Sequence, residues 1–247
     1  MVNISRPNLI DAPGTPEAAW GAWPAPSQLP VLDVAGWASA VVVAAHPDDE
    51  VLGAGGTIAA LAARGARLRL VALTDGEASH PHERESIGPR RVTESAAALA
   101  ALGAGHTEVI RFALPDSGLA AHEDDVTARL RDLVAGFDAC LAPWDRDIHP
   151  DHEVAGRAAR AARGGEGTLW YPVWMWHWAR PGDPRVPWDA AVRVPLPRPV
   201  AARKRRAIGC FASQLAGRSP GLGPVLPAGI VAHFTRDMEV FFPVSRR

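Results

Sequence analysis

Cysteine is scarce in this chain, which has only Cys140 and Cys210 among its 247 residues. Two cysteines do not make a disulfide framework, and neither has the nearby second cysteine that a thiolate metal site requires. Because a free cysteine behaves as a small hydrophobic residue, we interpret both as reduced residues of the core. A scaffold held together by disulfides is therefore excluded.

Long hydrophobic runs and a strong net charge are also missing. No segment approaches the roughly 20 apolar residues of a membrane span, and the N-terminus lacks the basic and apolar regions of a secretory signal. The formal net charge of -1 provides no general attraction for nucleic acid. We therefore expect a cytoplasmic protein without a nucleic-acid partner or a membrane span, and the sequence leaves a homo-oligomer open.

Predicted strands and helices alternate between residues 41 and 163. Strands are predicted from Val41 and over Arg67–Thr74, Glu108–Phe112 and Phe137–Ala142; helices are predicted over Thr57–Arg64, Arg90–Leu102, Asp124–Ala135 and after His152. This alternation is typical of βαβ units with a parallel sheet. We expect an α/β fold, a single Rossmann-like domain (39–247) whose mostly parallel sheet is flanked by helices, preceded by an N-terminal arm (1–38).

The remaining segments are less regular and rich in tryptophan, of which the chain has nine against one tyrosine. Trp20, Trp23 and Trp37 predict an arm that packs across the domain surface. The segment Leu169–Trp178, LWYPVWMWHW, suits either a core strand or the lining of a pocket, since aromatic rings stack on sugars and apolar groups. A helix is predicted over Val200–Leu215, and strands over Ala190–Val194 and Met238–Phe242.

The polar cluster HPDDE, at residues 46–50, directly follows the first predicted strand. Ligands of open α/β sheets bind beyond the carboxyl ends of the strands. Pro47 favours a turn, in which the first and fourth residues approach each other, so His46 and Asp49 are expected to converge on a divalent metal. Asp48 lies between them and is free to accept a proton. The alternative is a histidine that caps the strand, followed by a solvated acidic turn.

A second polar cluster, HPDH at residues 149–152, follows the fourth predicted strand. Its proline suits the first position of a helix and its aspartate the first turn. His149 and His152 are three residues apart on one helix face, so that one can ligate metal while the other faces the substrate. With His46 and Asp49 they provide three protein ligands and an open position, as in catalytic zinc sites.

The two clusters together resemble the PIG-L/LmbE-like family of zinc-dependent N-acetyl-sugar deacetylases, over roughly residues 40–160. The resemblance implies that His46, Asp49 and His152 are the zinc ligands. It also implies that Asp48 is the general base, that His149, in its protonated form, assists the oxyanion and the leaving amine, and that Asp151 orients His149. Zinc is the expected cofactor, and Fe²⁺ or Mn²⁺ suits the same ligands.

Two more residues are candidates for contact with the substrate. Arg91 forms the pattern R-x-x-E with Glu94 and resembles a family arginine that reaches sugar hydroxyls; the alternative is a surface ion pair. Asp116, just past the third strand, resembles an acidic family residue that binds sugar hydroxyls, and it also suits an Asx-turn. Asp147 occupies a position where some family members have a tyrosine, so the chain departs from the family there.

The sequence therefore predicts a metal-dependent hydrolase, an N-deacetylase acting on a linear amide bond. Its expected substrate is an N-acetylglucosamine-like amino sugar or glycoconjugate, which loses an N-acetyl or N-acyl group through attack of zinc-bound water. One alternative is a metal-dependent phosphoesterase, which would more naturally have a two-metal set of ligands. The other is a non-catalytic, metal-containing glycan-binding module, which has no need for Asp48 or His149.

Overall fold

The computed structural model describes residue 10 and residues 12–164, 167–218 and 222–244. Its strands are β1 (Ser39–Ala44), β2 (Arg67–Thr74), β3 (Glu108–Leu114), β4 (Ala139–Pro143), β5 (Thr168–Tyr171), β6 (Val192–Pro195) and β7 (Met238–Pro243). Its α-helices are α1 (Glu17–Gly21), α2 (Ala25–Gln28), α3 (Asp49–Ala62), α4 (Arg84–Leu102), α5 (Glu123–Val134), α6 (Pro150–Arg163), α7 (Met175–Trp178), α8 (Arg198–Ile208), α9 (Ala212–Leu215) and α10 (Ala228–Ala232). Residues 1–9 and 11 of the predicted arm lie outside the described part.

The strands form one seven-stranded sheet in the order β3-β2-β1-β4-β5-β7-β6. The first five strands in this order are parallel, and β7 runs antiparallel to both β5 and β6. The strands β1 and β4 are neighbours at the centre, where the order of the strands reverses. The mostly parallel α/β fold is therefore confirmed, and its reversal point is where such folds bind ligands.

The sequence of β1 explains its central place. Every residue of the strand is buried, as a near-continuous apolar run in a doubly covered parallel sheet requires. Successive side chains alternate between the two faces. Ala40, Val42 and Ala44 belong to the core under α3, α4 and α8, and Val41, Val43 and Ala45 to the core under α5 and α6.

Helix α3 begins at Asp49, eight residues before the predicted start at Thr57. The prediction was wrong at this end because it started the helix only after the three glycines at positions 53, 55 and 56. A Cβ atom on Gly53 would lie 2.0 Å from the Tyr171 ring, so the glycine lets the helix approach β5 closely. The early start places Asp49 in the first turn of the helix, beside the end of β1.

The predicted segments of the last third divide into shorter elements. Leu169–Trp178 contains the end of β5 and then α7, and the predicted helix Val200–Leu215 is two helices, α8 and α9. Trp20 of α1 packs edge-on against Trp176 of α7, with ring centroids 5.1 Å apart, and its Nε1 donates to the Trp176 carbonyl. None of the helices in the described ranges has the length and apolarity needed to cross a membrane.

Candidate active site

The two polar clusters meet at the reversal point of the sheet. His46 lies two residues beyond β1, and α3 begins three residues later at Asp49. The second cluster opens α6, shortly after β4, with His149 as the N-cap residue. Because β1 and β4 are hydrogen-bonded neighbours, the side chains that follow them share one site although about a hundred residues separate them in sequence.

The three predicted metal ligands converge. Nδ1 of His46 lies 3.3 Å from Nε2 of His152 and 3.6 Å from Oδ2 of Asp49. Nε2 of His152 lies 3.2 Å from Oδ1 of Asp49. All three residues are buried. Tetrahedral zinc bonds nitrogen and oxygen ligands at about 2.0–2.2 Å, which places two of its ligand atoms about 3.3 Å apart. The two imidazole nitrogens have this spacing, while Asp49 approaches the two rings with different carboxylate oxygens.

The charges of these residues also favour a cation. Burial alone would raise the pKa of Asp49, but the facing rings of His152 and His46 hold it well below its ordinary value. Burial alone would lower the pKa of His152, but the carboxylates of Asp49 and Asp147 raise it to about 9. Buried carboxylates that face imidazoles in this way require a positive charge, which a proton or a metal ion can provide.

His46 reaches a second pair of acids with its other nitrogen. Its Nε2 lies 3.2 Å from Oδ1 of Asp116 and 3.3 Å from Oδ2 of Asp151. These three residues, and likewise the rings of His46, His149 and His152, are near enough to suit a metal. An imidazole that ligates metal through one nitrogen usually donates its other N–H to a carboxylate or carbonyl, and this arrangement leaves Nδ1 of His46 for the cation.

The contacts of Asp151 differ from the predicted pairing with His149. Its carboxylate accepts hydrogen bonds from the amides of Ser117, at 2.7 Å, and Leu119, at 3.2 Å, in addition to its contact with His46. Only the main-chain amide of Asp151 reaches His149, donating to Nδ1 at 3.3 Å. The helix start turns this carboxylate toward His46 and the loop after β3, so Asp151 contacts a predicted metal ligand.

Asp147 is the site residue whose role the sequence did not reveal. Its Oδ2 lies 2.8 Å from Nδ1 of His152, and its carboxylate accepts hydrogen bonds from the amides of Val173, Trp174 and Met175. The residue is fully buried. The contact with Nδ1 leaves Nε2 of His152 facing Asp49. The contacts with the three amides connect the predicted metal ligands to the segment that follows β5.

Asp48, the predicted base, is held in a strained conformation next to the ligands. Its φ of +127° is unusual for a residue other than glycine, and such strain is found mostly at functional sites. Arg91 fixes this turn: Nη2 donates to the Pro47 carbonyl at 2.6 Å and to Oδ2 of Asp48 at 3.1 Å. Burial raises the pKa of Asp48 to about 7 against the opposing charge of Arg91.

The predicted substrate residues therefore have protein partners. Arg91 contacts the Asp48 turn and donates from Nη1 to the Gly76 carbonyl, while its buried Nε has no partner among the described residues. Asp116 contacts His46 and accepts from the Ala78 amide. Both residues also line the cavity that contains the predicted metal ligands. Their contact with substrate stays a prediction.

The surroundings of His149 disfavour the protonated form that the sequence predicts for the reaction. Burial and the neighbouring rings of His46 and His152 lower its pKa to about 2. Because Nδ1 accepts the Asp151 amide, Nε2 carries the ring proton and is a hydrogen-bond donor. The ring lines a cavity of about 510 Å³, a volume that suits a small-molecule substrate.

Known proteins resemble the chain in both sequence and fold. The family model PIG-L, GlcNAc-PI de-N-acetylase, matches residues 41–163. A 1D-myo-inositol 2-acetamido-2-deoxy-alpha-D-glucopyranoside deacetylase of Thermobispora bispora is 30% identical, over 82% of this chain and 81% of that protein. The chain belongs to the PIG-L family. Both polar clusters of this PIG-L protein lie inside the matched residues.

Two further comparisons show how far the likeness extends. The deacetylase of the same name from Rhodococcus opacus is 33% identical over 180 residues, 61% of this chain and 58% of that protein. That match thus spans less than two thirds of the relative. A teicoplanin deacetylase, solved in a zinc-inhibited form, has a TM-score of 0.61 and covers 85% of this chain and 98% of its own at 15% identity. At this identity the likeness shows that the two chains share a fold.

Proposed function

We propose that this PIG-L protein is a metal-dependent N-deacetylase that removes an acetyl group from an amino-sugar substrate. The observation that supports this most strongly is the convergence of His46, Asp49 and His152 within 3.6 Å of one another. Asp48 and His149 line the same cavity. Three ligands with a base and a hydrogen-bond donor beside them are the parts that hydrolysis of an amide requires.

His46, Asp49 and His152 would hold the cation. When bound, it supplies Lewis-acid polarisation and lowers the pKa of water. Zinc is the metal we propose, and Fe²⁺ and Mn²⁺ are the alternatives because two imidazoles and a carboxylate suit all three. The named substrate of the curated relatives supports an N-acetylglucosamine group as the part of the substrate that reacts.

The residues of the chain move one proton during the reaction. Asp48 takes it from the attacking water as the oxygen adds to the amide carbonyl, and it later gives the proton to the departing nitrogen as the C–N bond breaks. Arg91 holds the Asp48 turn in place through its main-chain and carboxylate contacts. The products are acetate and a primary amine in equal amounts.

His149 assists as a neutral donor. Its Nε2–H would donate a hydrogen bond to the oxygen that gains negative charge, and such donors typically lower a barrier by about 3–4 kcal/mol. The Asp151 amide fixes the ring from the other side through Nδ1. In this proposal His149 does not itself need to gain or lose a proton.

An assay of amine release tests the proposed function. The metal-free protein is supplied separately with Zn²⁺, Fe²⁺ or Mn²⁺ and given N-acetylglucosamine, an N-acetylglucosaminyl inositol and an N-acetylated disaccharide. We expect release of amine and acetate in a 1:1 ratio from at least one sugar, and its loss on addition of chelator. A range of metal concentrations is included because zinc inhibits one structural neighbour.

The same preparation separates the two alternatives. Release of phosphate from a generic phosphate ester, without amine release, would favour the phosphoesterase. Tight binding of the sugars without any product, in the presence of all three metals, would favour the glycan-binding module. Either result would contradict the proposed deacetylase.

A further inference from the structure

The cavity that contains the predicted metal ligands is lined by apolar as well as polar side chains. Six large apolar side chains are among its lining residues, and we name this set the apolar wall: Leu52, Val173, Trp174, Val225, Leu226 and Ile230. The apolar wall starts beside the metal ligands, because Leu52 lies one helical turn beyond Asp49. It continues at Val173 and Trp174, whose amides donate to Asp147, the carboxylate that contacts His152.

The apolar wall is held in place by hydrogen bonds. The Leu226 amide donates to the Gln214 carbonyl at 2.9 Å. Ile230 belongs to α10, and His233 directly follows that helix. Nδ1 of His233 lies 2.6 Å from Oε2 of Glu17 in α1. These bonds and the three amides on Asp147 preform the surface, so a ligand that covers it does not need to order it first.

Polar side chains near the apolar wall already have partners within the protein. Nε2 of His177 contacts the Ala12 carbonyl at 2.9 Å. Arg218 donates from Nε to the Gly223 carbonyl at 2.8 Å and from Nη1 to the Ser79 carbonyl at 3.3 Å. A polyol placed against this lining would give up hydrogen bonds with water and find few replacements, and that exchange is unfavourable.

The apolar wall belongs mainly to parts of the chain outside the family match. Of its six residues, only Leu52 lies within residues 41–163. The ligands, Asp48 and His149 all lie inside that range. Most of the apolar wall and the candidate catalytic residues therefore come from different parts of the chain.

We propose that the apolar wall binds an apolar group carried by the substrate on its amino sugar. This inference rests on the proposed function, since it places the amide of the sugar at the metal cluster. The apolar group has two sources with the same chemistry, an aglycone on the anomeric carbon or a long acyl chain on the nitrogen. Burial of each methylene group favours binding by up to about fourfold.

Two matched ligand pairs test the inference on the metal-loaded protein. The first pair is hexyl and methyl β-glucosaminide, which have no amide and cannot be hydrolysed. The second pair is N-hexanoyl- and N-acetylglucosamine. Affinity is measured by calorimetry, and kcat/KM is measured where a ligand is hydrolysed. We expect the hexyl or hexanoyl member of one pair to be favoured at least about 30-fold, and the responding pair identifies the source of the apolar group.

Two variants assign the preference to the apolar wall. Val225→Ser changes a half-buried residue that lines the cavity and should lower the preference about fivefold or more. Leu222→Ser makes the same kind of change at an exposed residue of the same segment and should leave it unchanged. Thermal unfolding of both variants checks that each remains folded.

The possible outcomes keep this inference separate from the proposed function. Equal affinity for both members of both pairs would overturn the inference, as would an equal loss of preference in the two variants. Amine release from N-acetylglucosamine decides the proposed function independently of these ratios. A hexyl preference that depends on Val225 in a protein without amine release would keep the apolar binding site and reject only the deacetylase.

Discussion

Asp48 is the residue on which the proposed proton transfer depends. It lies next to Asp49, a proposed metal ligand, and Nη2 of Arg91 donates to its carboxylate at 3.1 Å. We predict that Asp48→Asn lowers kcat by roughly 10²-fold or more, because the amide cannot accept the proton of the attacking water. Amine release gives kcat, and metal analysis after dialysis should show that the cation is retained.

The charge-matched control for this variant is Asp132→Asn, since Asp132 is exposed on α5. This control should keep full activity. Full activity of Asp48→Asn itself, with metal bound, would remove Asp48 as the base.

Asp147 contacts His152, a proposed metal ligand, and in this proposal it acts on the metal through that ring. Its carboxylate lies 2.8 Å from Nδ1 of the ring, which leaves Nε2 facing Asp49, where the cation would bind. We predict that Asp147→Asn weakens metal affinity by about 10–100-fold, the usual effect of removing a partner of a metal-bound histidine. Competition with a chromogenic chelator measures the affinity, and circular dichroism confirms the fold. An affinity equal to that of Asp132→Asn would refute this role for Asp147.

At the scale of elements, close packing of α3 on β5 depends on a glycine. A Cβ on Gly53 would collide with Tyr171, whose hydroxyl is held by the Val43 carbonyl at 2.6 Å. We predict that Gly53→Ala lowers the free energy of unfolding by about 1–3 kcal/mol, the usual cost of overpacking.

Gly21→Ala is the matched control, since a Cβ there meets nothing within 4 Å. It should be neutral or stabilise α1 by up to about 1 kcal/mol. Urea denaturation compares the two variants. Equal midpoints would mean that Tyr171 moves aside and that the glycine is not needed for packing.

The regular elements could be predicted where one local pattern governs them. The buried run of β1 and the strand–helix alternation up to residue 163 predict the sheet, because periodicity and burial act over a few residues. The start of α3 could not be predicted in the same way. There the burial of apolar residues such as Leu52 outweighs the low helix propensity of glycine, and the close approach that Gly53 permits involves Tyr171, far away in sequence.

In the site, too, local sequence patterns could be predicted and contacts between residues far apart in sequence could not. HPDDE and HPDH are local patterns at strand ends, and the meeting of His46 with His152 follows from the adjacency of β1 and β4. Asp147 has no such signal, because its partners include amides 26–28 residues away. The turn of Asp151 toward His46 likewise depends on the loop that carries Ser117.

At the scale of the whole molecule, a bound cation would join two separate units of the fold. His46 and Asp49 belong to the β1–α3 connection, and His152 belongs to α6. We predict that metal raises the free energy of unfolding, by about 4 kcal/mol when its free concentration is a thousand times Kd. Thermal unfolding with increasing zinc should give a rising Tm, which chelator reverses.

His152→Ala should abolish this dependence on metal, because it removes one of the three ligands. A Tm that is independent of metal in the wild-type protein would mean that the cluster does not bind a cation in the folded state. A variant that responds to metal as the wild type does would place the cation elsewhere.

The most direct test of the account is the position of the metal. Crystals grown with zinc would be measured at the zinc absorption edge, and the anomalous difference map would locate the ion. We predict one peak at about 2.0–2.2 Å from Nδ1 of His46, a carboxylate oxygen of Asp49 and Nε2 of His152. A peak on the other side of His46, between Asp116 and Asp151, or the absence of any peak at a zinc concentration that supports activity, would contradict the account.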